Sequence, residues 1–359
     1  ARDAFMLKAL AESKRAGGKL FLLASKFDVD GKPLKPSRLL FICGDKGELK
    51  RRFEIFFSDA EPPARPERKP SAADGFLLKP DLKAVGKLQK ISVTDFGKYL
   101  ENPLAYFFER ILKMESVDYD KQEMDNLDFG TFTHLAIEKF SRRHPDCCGM
   151  KWEAAQAALM SAADEAAVET YGDDPPTLVA LQIEAAKQRL NWVAKVFSEE
   201  DSAWELLAVE QPLGGENGVE LGGVKVRGKI DRIEINRAKG ALRIIDYKTK
   251  DTEKSPKAAH YMIKKKVWTN LQLPLYAILL PRDEEFKKMH GLDFEKLEIQ
   301  CAYLSIPKNS TETKIDVWDD MSEMLPDAEE EALRVIGEIK EMFETGRCRR
   351  GGKISAKNY

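Results

Sequence analysis

The sequence predicts an α/β fold, with a central mixed β-sheet flanked by helices and a large α-helical insertion. Three observations predict it. Between Trp204 and Thr249 the apolar residues fall into stretches of period two, at 204–212, 223–236 and 241–249, the pattern of half-buried strands. On both sides of that block the apolar residues recur at helical spacing. Ahead of it, an Ala-rich span over 151–199 is long enough for two packed helices.

The elements follow in order. Leu20-Phe21-Leu22-Leu23 reads as a strand and Leu39-Leu40-Phe41-Ile42 as a second strand or a helix start, with a polar loop holding Asp30-Gly31 between them. Residues 58–75 carry four prolines among mixed charges and almost no apolar surface, the composition of a linker. From Ile91 a helix begins, with Ser92 or Thr94 as cap and Asp95 in the first turn, followed by Phe96, Tyr99 and Leu100. Pro103 opens a second helix, and further helices are expected over 130–140, 151–170 and 176–199. Gly214-Gly215, Asn217-Gly218, Gly222-Gly223 and Lys239-Gly240 supply turns that join the central strands into an antiparallel meander. A helix over 270–280, strands over 297–306 and 313–318 and an amphipathic helix over 327–345 complete the chain. The 359 residues exceed one ordinary compact domain. The expected organisation is an upstream region over 1–57, a linker over 58–88 and a main domain over 89–359. The opening at Ala1 reads as mid-protein, so a longer parent protein is expected.

Composition excludes several classes. No apolar run approaches the roughly 18 residues that span a bilayer, so no membrane partner is expected. Cys43, Cys147, Cys148, Cys301 and Cys348 form no C-x-x-C pair, which argues against a zinc or disulfide framework and fits a reducing cytoplasm. A net charge of −2 makes no global case for nucleic acid, so any such contact must use a local patch.

The chemistry concentrates in a few places. In Ala241-Leu242-Arg243-Ile244-Ile245-Asp246-Tyr247-Lys248-Thr249, strand alternation projects Asp246 and Lys248 from one face. Alone, that triplet also reads as a surface ion pair. The preceding strand brings Asp231 within hairpin reach of Asp246. Two converging carboxylates repel unless a cation lies between them, and hard divalent ions prefer oxygen donors; a plain Asp231–Arg232 surface pair is the other reading. Gln272 and Tyr276 share one face of a helix that is otherwise core. His134 lies in a helix starting near Gly130, where a satisfied, partly buried histidine is the alternative to a ligand.

Taken in order, these are G-x-x-x-H from Gly130 to His134, a glutamate on an incoming strand, G-x-x-D-R from Gly228 to Arg232, D-Y-K-T from Asp246 to Thr249, and Q-x-x-x-Y from Gln272 to Tyr276. The series resembles the RecB-like branch of the PD-(D/E)XK nuclease superfamily, especially the nuclease domains of AddAB-type helicase-nuclease subunits, with an AddB-like C-terminal part. The resemblance implies a restriction-endonuclease-like core with Asp231, Asp246 and Lys248 as catalytic residues. It implies a Mg²⁺ or Mn²⁺ site of His134, Asp231, Asp246, the Tyr247 carbonyl and Glu210. Gln272, Tyr276, Arg232 and Thr249 fall at accessory positions that align DNA and the lysine. Residues 18–40 resemble the end of a helicase-like region, although no G-x-x-x-x-G-K-[ST] loop is present to bind nucleotide. The chain departs from many relatives at Asn102, where they carry a cysteine, and its tail holds only Cys348, so no iron–sulfur cluster is expected.

Lys250, Lys264, Lys265 and Lys266, with Arg243, Lys254 and Lys257, form a basic stretch just past the site that reads as a phosphate-contacting patch or as a solvated loop. Trp268 and Tyr261 are candidates to stack on bases or to serve the core. The expected function is a divalent-metal-dependent deoxyribonuclease, an exonuclease acting on DNA ends in double-strand break repair and recombination beside a helicase subunit. The alternative is a catalytically silent DNA-binding or scaffold subunit. A restriction-type enzyme would need a base-reading module, and the sequence shows none.

Overall fold

The computed structural model describes residues 2–14, 17–20, 22, 25–26, 32–57, 88–114, 122–250 and 254–345. It divides into two units, Ala1–Leu77 and Leu78–Tyr359. The first holds helix α1 (Arg2–Ser13), a 3-10 turn Arg38–Phe41 capped by Ser37, and helix α2 (Lys46–Phe57). The strand expected over residues 20–23 is absent at Leu20 and Leu22, which lie exposed in irregular backbone, while residues 21 and 23 fall outside the described residues. The leucines at 39–40 take the helix-start alternative. The linker expected over 58–88 lies, but for residue 88, outside the described residues, as do Asp30-Gly31.

The second unit opens with strand β1 (Lys90–Ser92) and helix α3 (Val93–Glu101), joined by a capping box in which the Ser92 N–H donates to Asp95 Oδ2 at 3.0 Å. Asn102 Oδ1 accepts from the Leu104 and Ala105 N–H groups to start α4 (Pro103–Tyr106), which runs into a π-turn at Phe107–Ile111. Helix α5 (Asn126–Arg143) begins before the expected residue 130, because Asp125 and Asp128 form a second capping box. Helices α6 (Trp152–Tyr171) and α7 (Thr177–Glu199) bury Ala155, Ala162, Ala163, Ala166, Ala186 and Ala194, small side chains that let the helices approach closely.

Strands β2 (Glu205–Pro212), β3 (Val219–Leu221), β4 (Val224–Arg227), β5 (Lys229–Asn236) and β6 (Ala241–Lys248) follow. The single strand expected over 223–236 is in fact two. β4 pairs with β1 and β3 in a three-stranded sheet, whereas β5 enters a five-stranded sheet. The chain changes sheets at Gly228, where a Cβ would lie 2.8 Å from Tyr276 Cε1 and 3.0 Å from Val93 Cγ2. Only a residue without a side chain fits between them. Helix α8 (Pro256–His260), the short hairpin β7 (Tyr261–Met262) and β8 (Val267–Trp268), helix α9 (Gln272–Leu279) and helix α10 (Glu284–His290) lead to β9 (Glu298–Ser305), β10 (Lys314–Val317) and helix α11 (Met321–Thr345).

The main sheet has the order β10-β9-β6-β5-β2. Antiparallel β2–β5–β6 keeps the expected meander, while β9 lies parallel to β6 after a crossover, which makes the sheet mixed. Strand alternation sorts the core: Leu242 and Ile244 pack with Phe96, Leu273 and Ile336 of α3, α9 and α11, whereas Ile245 and Tyr247 pack with Phe132, Leu159 and Leu190 of α5–α7. Among the described residues no helix is long and apolar enough to cross a membrane.

Candidate active site

Strand register brings the acidic residues together. In β2, Val209 pairs with Arg232 and Gln211 with Ile230, which sets Glu210 opposite Asp231. Glu210 adopts φ +50°, a left-handed backbone rare for a non-glycine residue and costing about 1–3 kcal/mol. The β5–β6 ladder ends at the pair Arg232 and Ile245; one residue beyond, Asp231 Oδ2 replaces a backbone acceptor and takes the Tyr247 N–H at 2.7 Å. Asp246, at 2% exposure, is the next carboxylate across the sheet, and its β9 partner is Tyr303.

Helix α5 supplies His134. Gly130, one turn earlier, faces Thr249 at the end of β6, where a Cβ would meet its Oγ1 at an ordinary contact distance of 3.4 Å. His134 Nδ1 lies 3.5 Å from Asp231 Oδ1 and 3.7 Å from Glu210 Oε1, and its ring meets the Tyr247 ring edge-on at 5.2 Å. Donor atoms of His134, Glu210 and Asp231 all fall within 4.8 Å of one another.

The electrostatics are those of a cation site. Burial alone would keep His134 neutral, but Asp231 and Glu210 outweigh it and raise the imidazole pKa to about 10. Burial would raise Glu210, yet His134 and Lys229 hold it below the usual carboxylate range. Burial pushes Asp246 upward; the Lys248 ammonium opposes that push and Asp231 adds to it. Glu210 Oε1 and Asp246 Oδ2 are shielded from water and lie against cationic side chains, His134 and Lys248 respectively. Buried acceptors of this kind are costly unless something charged fills the space. An oxygen-rich set with one imidazole therefore fits a hard divalent ion.

Lys248 contacts Asp246 Oδ2, donates to Gln272 Oε1 at 3.1 Å and stands over the Tyr303 ring at 5.2 Å. Gln272 lies 3.5 Å from Tyr276 Oη, which donates to the Lys229 carbonyl at 2.8 Å. The two helix residues thus tie the lysine to the start of β5. Sequence reasoning missed Lys229, whose ammonium contacts Glu210, and Tyr303. Lys229 had a local signal, as a basic residue two before Asp231. Tyr303 had none, since the β6–β9 register cannot be read without the crossover.

Several expected contacts fall elsewhere. Arg232 is fully buried and cannot align DNA: it donates to Glu234 Oε1 at 2.5 Å and Ser141 Oγ at 2.9 Å, and stacks on the Phe197 ring. Arg243 is also buried, bridging Glu234 and Glu200. Lys257 pairs with Asp320, and Trp268 is core, its Nε1–H bound to Asp327. Lys250 is exposed, and Lys264, Lys265 and Lys266 form the exposed turn of the β7–β8 hairpin. Cys348 lies outside the described residues. Because Arg232 balances a buried carboxylate, Arg232→Ala is expected to cost ~3–5 kcal/mol in urea unfolding. An unchanged midpoint would show that the network carries no stability.

A family model for the PD-(D/E)XK nuclease superfamily matches residues 90–352. The chain belongs to this superfamily. Its mixed sheet flanked by helices is the restriction-endonuclease-like core, and the superfamily consists of nucleases that use divalent metal ions. The chain is also similar to an uncharacterized protein of Rickettsia bellii, 26% identical over 163 residues, which cover 44% of this chain and 18% of that protein. A second uncharacterized protein, from Rickettsia typhi, is 26% identical over 166 residues, again 44% of this chain and 18% of the relative. The matched part thus spans about a fifth of these relatives' length.

Proposed function

We propose that this chain is a Mg²⁺- or Mn²⁺-dependent DNA exonuclease of the AddB-like kind, acting on broken ends beside a helicase subunit. The observation that carries the reading is the placement of His134, Glu210 and Asp231 next to the Asp246–Lys248 contact in one corner of the sheet. His134, Glu210, Asp231 and Asp246 would hold the ion, which when bound supplies Lewis acidity and activates water at neutral pH. Asp231 fixes the end of β6 through the Tyr247 N–H. Lys248, held by Asp246 and Gln272, presents a compact positive charge to the phosphate as negative charge builds there. The exposed Lys264, Lys265 and Lys266 extend the positive surface for the DNA backbone.

End dependence tests the exonuclease part. With Mn²⁺ or Mg²⁺ present, linear DNA is expected to be degraded while covalently closed circles of the same sequence persist, as read on a gel. Nicking or linearisation of the circles at a comparable rate would make the chain an endonuclease instead. The helicase association predicts that degradation becomes processive when an AddA-type helicase subunit and ATP are added, and an unchanged product length would remove that part of the reading.

A further inference from the structure

Lys248 also forms one wall of a pocket of about 200 Å³ whose other polar walls are Lys250, Lys254, Asn270, Tyr303 and Ser305. Three lysines line it, and among the described residues no carboxylate does. Among the described residues the one carboxylate in contact with these lysines is Asp246, on Lys248; like charges in excess of their counter-charge repel, and an anion between them lowers that cost. The remaining walls are also rich in donors. Asn270 Oδ1 is taken by the Gln272 N–H at 2.9 Å, which leaves the amide nitrogen to donate, and Ser305 adds a hydroxyl.

Size narrows the ligand. The space admits a tetrahedral oxyanion with some hydration. Position narrows it further, because the wall residue Lys248 is the same side chain that touches Asp246. Whatever anion enters lies beside the cleavage centre.

We infer that this pocket is a phosphate subsite that takes a phosphate of the substrate strand next to the one that is cut. The inference rests on the nuclease reading for the identity of its ligand. The phosphate is either a terminal monoester or an internal diester, which share the oxyanion chemistry. Lys250 and Lys254 are both exposed at the rim, so replacing them leaves the packed core intact.

The test uses the full chain and the double variant Lys250→Ala/Lys254→Ala. In the first arm, thermal unfolding is followed as inorganic phosphate is added. Phosphate is expected to raise the melting temperature of the wild type and to raise that of the variant much less. In the second arm, KM for DNA is measured across a salt series on strands with 5′-phosphate, 3′-phosphate or hydroxyl ends, and on strands with one neutral methylphosphonate linkage. The variant is expected to show a several-fold higher KM, a kcat changed far less, and a salt slope shallower by about 0.7–0.9 for each phosphate it no longer neutralises. A wild-type preference for phosphorylated ends that the variant loses assigns the terminal monoester. Sensitivity to the neutral linkage that the variant loses assigns the internal diester. Equal phosphate shifts together with equal KM and salt slope in the two proteins would overturn the subsite. A phosphate shift specific to the wild type without any DNA cleavage would leave the subsite standing and remove the nuclease reading instead.

Discussion

Lys248→Ala is expected to slow phosphodiester cleavage by about 10²–10³-fold, the usual cost of removing one preorganised charge from a reaction centre. Binding of the metal ion should change far less, because Lys248 is not among the ligand donors. The size of the effect follows from how the lysine is held. Its ammonium is fixed at once by Asp246, by Gln272 at 3.1 Å and by the Tyr303 ring, so its charge is aimed before substrate arrives. Lys248→Arg is expected to recover little, because a planar guanidinium cannot occupy the position of a compact ammonium between those three neighbours. Single-turnover rates measured with saturating metal separate this effect from DNA binding. A loss confined to KM would instead make Lys248 a binding residue.

Asp231→Asn is expected to abolish detectable cleavage and to weaken Mn²⁺ binding by at least ~100-fold, since even the loss of a group hydrogen-bonded behind a metal ligand costs about 10–100-fold. The amide keeps an oxygen that can accept the Tyr247 N–H, so β6 retains its end and the variant folds. What it loses is the charge facing His134 Nδ1 at 3.5 Å. Calorimetric titration of Mn²⁺ into the wild type and the variant checks this. Equal affinities would remove Asp231 from the ligand set and leave its role as the clamp of the β6 end.

Much of this arrangement was legible in the sequence, for identifiable reasons. Asp246 and Lys248 are two apart on one strand, so alternation alone placed them together, and the hairpin turn at Lys239-Gly240 carried Asp231 to them. Gln272 and Tyr276 shared a helix face and proved to be linked to the lysine. Arg232 was misplaced because a charged residue beside a catalytic carboxylate looks exposed; only the packing of α5 and α7 against that face of β5 shows it to be buried on Glu234. The break at Gly228 was hidden because β4 and β5 continue the same alternation, and the steric reason lies in Tyr276 and Val93, distant in sequence. The lysines of the cationic pocket were legible as a basic stretch after β6, but its remaining walls come from β9 and from the segment leading into α9, which no local pattern joins to them. The contribution of Glu210 rests on a left-handed backbone residue that no periodicity announces.

The most direct test of the central claim is cleavage of linear DNA with Mg²⁺, with Mn²⁺ and with a chelator, by the wild type, Asp231→Ala and Lys248→Ala side by side. A metal-dependent nuclease centred on this corner of the sheet predicts cleavage only by the wild type and only with metal. Wild-type protein that binds DNA but cuts nothing with either ion, or cleavage that survives in both variants, would contradict it.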